Sequence, residues 1–335
     1  MTREDLPNIS GQISSNTRQS IQNIRNGTNM AVRTSADILK VNMSEELLGV
    51  VNDAVKSIPE IGFFQASPCI RNDYKSLAIS ALPATGFRSA DGMRAFSTAT
   101  LVNRTTTCKY LDASWTLNQA VAEQSDWGKA QVIAIEQMTH LQSAFFTLAK
   151  QIWYGVDSDA SGFVGLSAFI DAVPAMIVNT PGTAATTDLS SVFAVRTGLD
   201  SCQIAWGSEG HFDEGEIIEQ LVTNADGTQG NWVYAQKLGG WAGLQVTSQW
   251  AAARLKGLST TTGKGLNDEL LYNMLSVFPA GQRPDAFFMS RRSLDQLRSS
   301  RTTYSPTGAP APIPEEVGGV PIFVTDAIRN DEENL

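Results

Sequence analysis

Histidine, cysteine, net positive charge and long apolar runs are all scarce in this chain, and each scarcity removes a class of function. The 335 residues include two histidines, His140 and His211, so histidine-based metal or triad chemistry has few candidates. The three cysteines, Cys69, Cys108 and Cys202, lie far apart. An odd, sparse set of this kind fits a reducing compartment and gives no disulfide framework. The formal net charge is −9, which is not the electrostatic footprint of a nucleic-acid reader. The most apolar run, Phe163 to Val178, contains Asp171 and Pro174 and is too short to span a bilayer. The N-terminus is polar and does not resemble a charged-then-apolar leader. These features together predict a soluble cytoplasmic product with no membrane segment.

What is present is organised around residues 118–155. Ile135, Met138, Leu141, Phe145, Leu148 and Ile152 recur at three- and four-residue steps, which predicts one apolar stripe on one helix face. Between Ser125 and Tyr154 there is no proline, and the one glycine is Gly128. Asn118 or Ser125 can cap the start and Gly155 can end the helix. A helix over those 30 residues would be about 45 Å long, a strut rather than an ordinary packing element.

Ahead of the strut, residues 1–35 hold 17 Ser, Thr, Asn or Gln. That composition cannot bury enough apolar surface to fold alone. It reads either as a plain tail or as an arm that orders on a neighbouring subunit. A helix is expected over 34–58, stopped by Pro59. Two strand-like runs, Leu77 to Pro83 and Thr98 to Tyr110, flank a turn-rich stretch and predict a long hairpin. Residues 71–110 hold six cations (Arg71, Lys75, Arg88, Arg94, Arg104, Lys109) against Asp73 and Asp91, a net of +4 that leaves −13 on the rest. A lone two-stranded hairpin is marginal in water. An extended basic one needs a surface, either its own chain or an acidic neighbour. For the second case Arg88 and Arg94, near the tip, are the expected contact cations, and Glu123 and Asp126, at the start of the strut, their partners.

After the strut, Phe163 to Val178 reads as helix or strand. Ser190 to Ala205 reads as two strands around Gly198, and 207–231 as acidic and turn-rich. Residues 231–258 alternate and then turn helical through Ala251 to Leu255. A helix from Asn267 to Val277, a strand Asp285 to Met289, a helix Ser293 to Arg298, a loop to Gly319 and a last strand Val320 to Thr325 complete the chain.

Tests for chemistry fail one by one. Asp157 to Gly162 opens like a calcium loop, but the twelfth position is Ala168 instead of a bidentate Glu. Gly257 to Lys264 has one residue too many between its glycines for a phosphate loop, and Gly265 stands where Ser or Thr should bind metal. His211 sits among Asp213, Glu214 and Glu216 with no second His or Cys at ligand spacing. His140 is one helical turn from Glu136, which predicts a structural hydrogen bond. No catalytic, cofactor or metal site is expected, and the chain is not expected to be an enzyme.

The order of elements resembles that of the major capsid proteins of tailed bacteriophages with the Hong Kong 97-type shell fold. The resemblance is carried by LPATGFR (82–88), SSVFAVRTG (190–198), WAGLQVTSQWAAARL (241–255), PDAFFMSRRSLDQL (284–297) and GGVPIFVTDAI (318–328). Within that family the chain is most similar to the shell proteins of epsilon-15-like short-tailed phages. The resemblance implies an α+β fold with an N-terminal arm (1–35), a peripheral domain (36–70, a spine helix at 118–155, and 231–258), an extended hairpin loop (71–117), an axial domain (156–230 and 259–317) and a terminal strand and tail (318–335). It also implies self-assembly as pentamers and hexamers into an icosahedral shell around double-stranded DNA. Scaffolding, portal and decoration proteins would be further partners. Packaged DNA would be contacted weakly and without sequence specificity, with assembly in the host cytoplasm. It implies no cofactor. A cargo-loading compartment of the same fold and a soluble α/β enzyme are the competing readings.

Overall fold

The computed structural model describes residues 56–69, 73–93, 96–126, 128–180, 188–207, 212–223, 230–303 and 309–332. The expected arm at 1–35 and all but the end of the helix at 34–58 lie outside the described residues, as do Arg71, Arg94 and His211.

In chain order the elements are helix α1 (Glu60–Phe63) and strands β1 (Ala66–Pro68), β2 (Asp73–Ala81), β3 (Thr100–Thr107), β4 (Lys109–Asp112) and β5 (Trp115–Asn118). Helices α2 (Gln119–Glu123), α3 (Lys129–Tyr154) and α4 (Leu166–Asp171) follow. Then come β6 (Ile177–Asn179), β7 (Ser190–Val195), β8 (Cys202–Trp206), β9 (Phe212–Glu214), β10 (Ile218–Thr223), β11 (Gly230–Gln236), β12 (Leu238–Val246) and β13 (Ala252–Leu258). The chain closes with α5 (Asp268–Ser276), β14 (Ala286–Met289), α6 (Arg291–Thr303), β15 (Glu316–Val317) and β16 (Val320–Val324). The described part is therefore mixed α+β, as expected.

Two compact units divide the chain. The first comprises Ala113–Leu141 and Glu214–Leu238 together with Met1–Val51. Its described centre is the antiparallel sheet β10-β11-β5. The Trp115 indole N–H donates to Gln236 Oε1 at 3.0 Å across β5 and β11. Asn118 Oδ1 caps α2 by accepting from the Ala120 amide at 3.0 Å. The helix does not run on from there. Gly128 takes φ +85°, a conformation other residues adopt at a cost, and α3 starts at Lys129. The strut is thus 26 residues long, shorter than the Ser125 start implied. The acidic stretch 207–231, expected as turns, contains β9 and β10.

The second unit comprises Asn52–Asp112, Gln142–Asp213 and Gly239–Leu335. Its main sheet has the order β15-β16-β14-β7-β13-β6. Every residue of β7 and β14 is buried, so neither shows the alternation of a half-exposed strand. The same burial explains a misreading: Ala251 to Leu255, expected as helix, lies in or beside β13, which pairs antiparallel with β7. Alanine and leucine favour helix locally, but a strand slot buried on both sides overrides that preference. β7 and β8, expected around one turn, belong to different sheets, with Gly198 at φ +132° between them. A second sheet runs β1-β8-β12-β4, with β9 also on β12.

The core of this unit is aromatic. Trp153, Phe193, Phe287 and Phe288 are fully buried. Trp153 stacks on Phe193 at 4.9 Å and meets Phe288 at 5.0 Å. Leu270, Leu271 and Met274 of α5 face inward, and Asn267 Oδ1 caps that helix at the Leu270 amide as its position suggested. The expected stripe on α3 is only partly right. Leu148 and Ile152 are buried, but Met138 is half exposed, and Val132, Ala144 and Trp153 complete the buried line instead. Pro59, expected to stop a helix, stands at the N-cap of α1, where a missing N–H costs nothing. At the end of α3, Gly155 takes φ +58° and lies against Gly165. A Cβ on Gly155 would fall 2.1 Å from the Gly165 amide nitrogen.

Candidate assembly surface

β2 and β3 pair antiparallel from Asp73↔Thr107 to Ala81↔Thr100, with a register shift between Ile79 and Ala81. The hairpin predicted from the two β-rich runs is therefore present. Its base is tied to β12 and the residue after it by hydroxyl and amide groups. Thr106 Oγ1 donates to the Leu244 carbonyl at 3.2 Å, and Arg104 Nη1 donates to that of Val246 at 3.4 Å. Gln245 Nε2 donates to Ser76 Oγ, and Thr247 Oγ1 bonds the same hydroxyl at 3.3 Å.

Beyond that base the hairpin carries apolar side chains that no described residue covers. Leu77, Ile79, Leu82 and Leu101 are each more than half exposed, and Phe87, Met93 and Phe96 are fully so. Singly exposed apolar residues are ordinary, but a contiguous set on a two-stranded ribbon marks an interaction surface. At the tip Arg88 Nη1 donates to the Gly92 carbonyl at 2.7 Å and the Gly92 amide to the Ser89 carbonyl at 3.0 Å. Of the other expected contact residues, Glu123 ends α2 and accepts weakly from Gln119 Nε2 at 3.5 Å. Asp126 lies in the turn before α3.

Among the described residues no group of three or more His, Cys, Asp or Glu is placed to hold a metal ion. Asp157 to Gly162 forms a tight turn in which Asp159 Oδ1 accepts from the Ser161 amide at 2.8 Å. His140 Nε2 lies 3.3 Å from Glu136 Oε1, the intrahelical contact expected. The three cysteines are buried and none forms a disulfide. Burial, then the neighbouring Cys69 and Asp73, pushes the Cys108 thiol up to about 11, which keeps it protonated and unreactive at neutral pH. Burial likewise raises Cys202. A cavity of about 280 Å³ beside the hairpin base is lined by Ser80, Arg104, Asp200 and Ser248 among others. No described helix is long and apolar enough to cross a membrane.

Sequence reasoning missed one buried polar centre. Glu332, near the end of the chain, accepts from Tyr154 Oη (2.5 Å), Ser191 Oγ (2.5 Å) and Arg254 Nη2 (3.1 Å). Arg254 is 2% exposed and also donates through Nε to Ser191 Oγ at 3.0 Å. These four residues are scattered over more than half the sequence, so no spacing signal joins them. Burial and the Glu332 carboxylate push the Tyr154 hydroxyl well above its usual range, which makes it a fixed donor.

No protein-family model matches the chain, and no curated protein does. Among solved structures, that of bacteriophage Epsilon15 aligns with a TM-score of 0.70 at 17% identity, over 91% of this chain and 98% of that one. The two chains share a fold. It is the Hong Kong 97-type α+β fold that the order of elements suggested. The capsid of bacteriophage JBD30 aligns at a TM-score of 0.48 and 11% identity, over 86% of this chain and 97% of that one. The SrpI encapsulin complex from Synechococcus elongatus aligns at 0.43 and 9%, over 68% and 95%.

Proposed function

We propose that the chain is the major capsid protein of a tailed bacteriophage, a structural protein and not an enzyme. Copies of it assemble as pentamers and hexamers into an icosahedral shell around double-stranded DNA. The observation that carries this reading is the apolar, basic hairpin on a Hong Kong 97-type fold. Its exposed Leu77, Leu82, Phe87 and Phe96 have no cover among the described residues, and a second copy supplies one. In the assembled particle residues 118–155 and 231–258 belong to a peripheral domain, and 156–230 and 259–317 to an axial domain. Scaffolding, portal and decoration proteins are partners, and assembly takes place in the host cytoplasm.

The acidic complement of the hairpin is the segment just ahead of α3 on a neighbouring subunit, with Arg88 and Arg94 meeting Glu123 and Asp126. Each exposed pair contributes only about 0.2–1 kcal/mol, but a shell repeats the contact at every subunit. Reversing both arginines to Glu is expected to leave circular dichroism unchanged and to lower the sedimenting shell fraction, most at low salt where repulsion is least screened. Adding Glu123→Lys and Asp126→Lys is expected to restore assembly. Equal assembly of the double reversal and the parent at low salt would remove the proposed pairing. Nuclease-protected DNA within the shells distinguishes a capsid from a compartment loaded with protein cargo.

A further inference from the structure

Three cations from three separate segments converge on one face of α3. Phe146, Lys150 and Tyr154 recur at four-residue steps, so they lie in line along the helix. The Lys150 ammonium sits 4.5 Å from the Phe146 ring centre, and the Lys56 ammonium sits 4.2 Å from the same ring. The two ammonium groups are therefore no farther apart than those distances laid end to end. One turn further on, the Arg329 guanidinium lies over Tyr154 at 4.6 Å. Arg329 is held there, because its amide donates to Tyr154 Oη at 2.9 Å and its Nη2 to the Asp157 carbonyl at 2.9 Å.

Little in the described part of the chain neutralises this group. Among the described residues none of the three forms an ion pair. Asp326 accepts from the Ser57 amide beside Lys56, and Asp331 is the carboxylate whose charge Lys150 senses. Burial, then Lys56, then Arg329 lower the Lys150 ammonium below its usual range, against the opposing effect of Asp331. In a chain of net charge −9, the fold holds like charges together by packing their stems on aromatic rings. Such a cluster gains most from an anion that several cations can share.

We infer that Lys56, Lys150 and Arg329 form a phosphate-binding site for the backbone of double-stranded DNA. Two of the three are lysines, compact point charges suited to phosphate contact, and Arg329 is held by the Asp157 carbonyl and the Tyr154 ring, so binding is through the backbone and independent of sequence. This rests on the proposed capsid function for the identity of the ligand, and it places this face of α3 toward the packaged genome.

The test uses the full-length protein and a short, dye-labelled duplex of random sequence, with anisotropy read across a salt series. The triple variant Lys56→Gln/Lys150→Gln/Arg329→Gln is expected to bind more weakly, its salt slope smaller by about 0.9 for each cation removed. Lys56→Arg/Lys150→Arg is expected to bind as the parent does. Lys56→Gln alone, an exposed change, covers the case in which the triple variant does not fold, and it is expected to lose one such step of slope. An unchanged slope and affinity in folded variants would overturn the assignment. So would full competition by inorganic phosphate at matched ionic strength, which would make this a free-anion site. Sedimentation of the same samples separates the two readings: parent shells with unaltered DNA binding in the variants remove this inference alone, whereas a parent that forms no shells counts against the capsid function.

Discussion

Glu332→Ala is expected to destabilise the unit that carries the six-stranded sheet by about 3–5 kcal/mol, because it strands a buried charge. Arg254 is 2% exposed, and Glu332 is its close carboxylate; Asp171 Oδ2 stands 3.9 Å from Nη1, which makes no hydrogen bond. The same substitution takes away the acceptor of the Tyr154 and Ser191 hydroxyls. The backbone there stays pinned by Leu189↔Glu332 bridging and by Arg292 donating to the Asn330 carbonyl at 3.1 Å, neither of which uses the Glu332 carboxylate. The midpoint of guanidinium unfolding reads the loss. Removing both charges together, as Arg254→Met/Glu332→Leu, is expected to cost much less than Glu332→Ala, since no buried ion is then left unpaired. A double variant as unstable as the single one would show that the centre contributes through packing rather than charge.

Trp153→Ala is expected to cost about 3–5 kcal/mol, the range for emptying a large aromatic from a packed core. Trp153 is fully buried against Phe193, Phe288 and Phe64. Trp153→Phe separates volume from polarity. It keeps a ring but deletes the indole donor that reaches Glu60 Oε1 at 2.8 Å. Burial raises the Glu60 carboxyl above its usual range, while hydrogen bonds from Thr325 and Trp153 draw it back. In the Phe variant the folded-state pKa rises further. A carboxyl raised on folding is neutral in both states in acid, and the folded state loses stability as pH climbs from the unfolded pKa toward the raised one. The Trp153→Phe penalty is therefore expected to be smallest in acid and to grow toward neutral pH. A penalty independent of pH would show that the indole N–H has no electrostatic hold on Glu60.

The strands and helices that sequence revealed share a simple property: one face or one cap decides them. The β2–β3 ribbon is legible in alternating, β-branched runs around a turn. α5 is legible in Asn267 and a tight apolar face. The elements that sequence misplaces are those whose environment comes from elsewhere in the chain. β13 is a strand because β7 and β6 flank it, not because of its alanine-rich sequence. β10 is a strand because β11 offers it a ladder, although its own stretch is acidic and turn-like. The break at Gly128 is visible as a glycine, but one glycine within a long periodic pattern does not say whether it bends, caps or is tolerated. Much the same holds for function. The charge asymmetry of the hairpin can be counted along the chain. The clusters around Glu332 and around Phe146 join residues from distant segments, and only the folded backbone brings them together.

Closure of a shell from copies of this one chain is tested most directly by negative-stain electron microscopy. The sample is the purified full-length protein, alone or with a candidate scaffolding protein, at assembly concentrations. Uniform closed icosahedral particles, or rings of five and six subunits, are the expected result. A field of dispersed monomers that persists at high concentration, with circular dichroism reporting a folded chain, would contradict it.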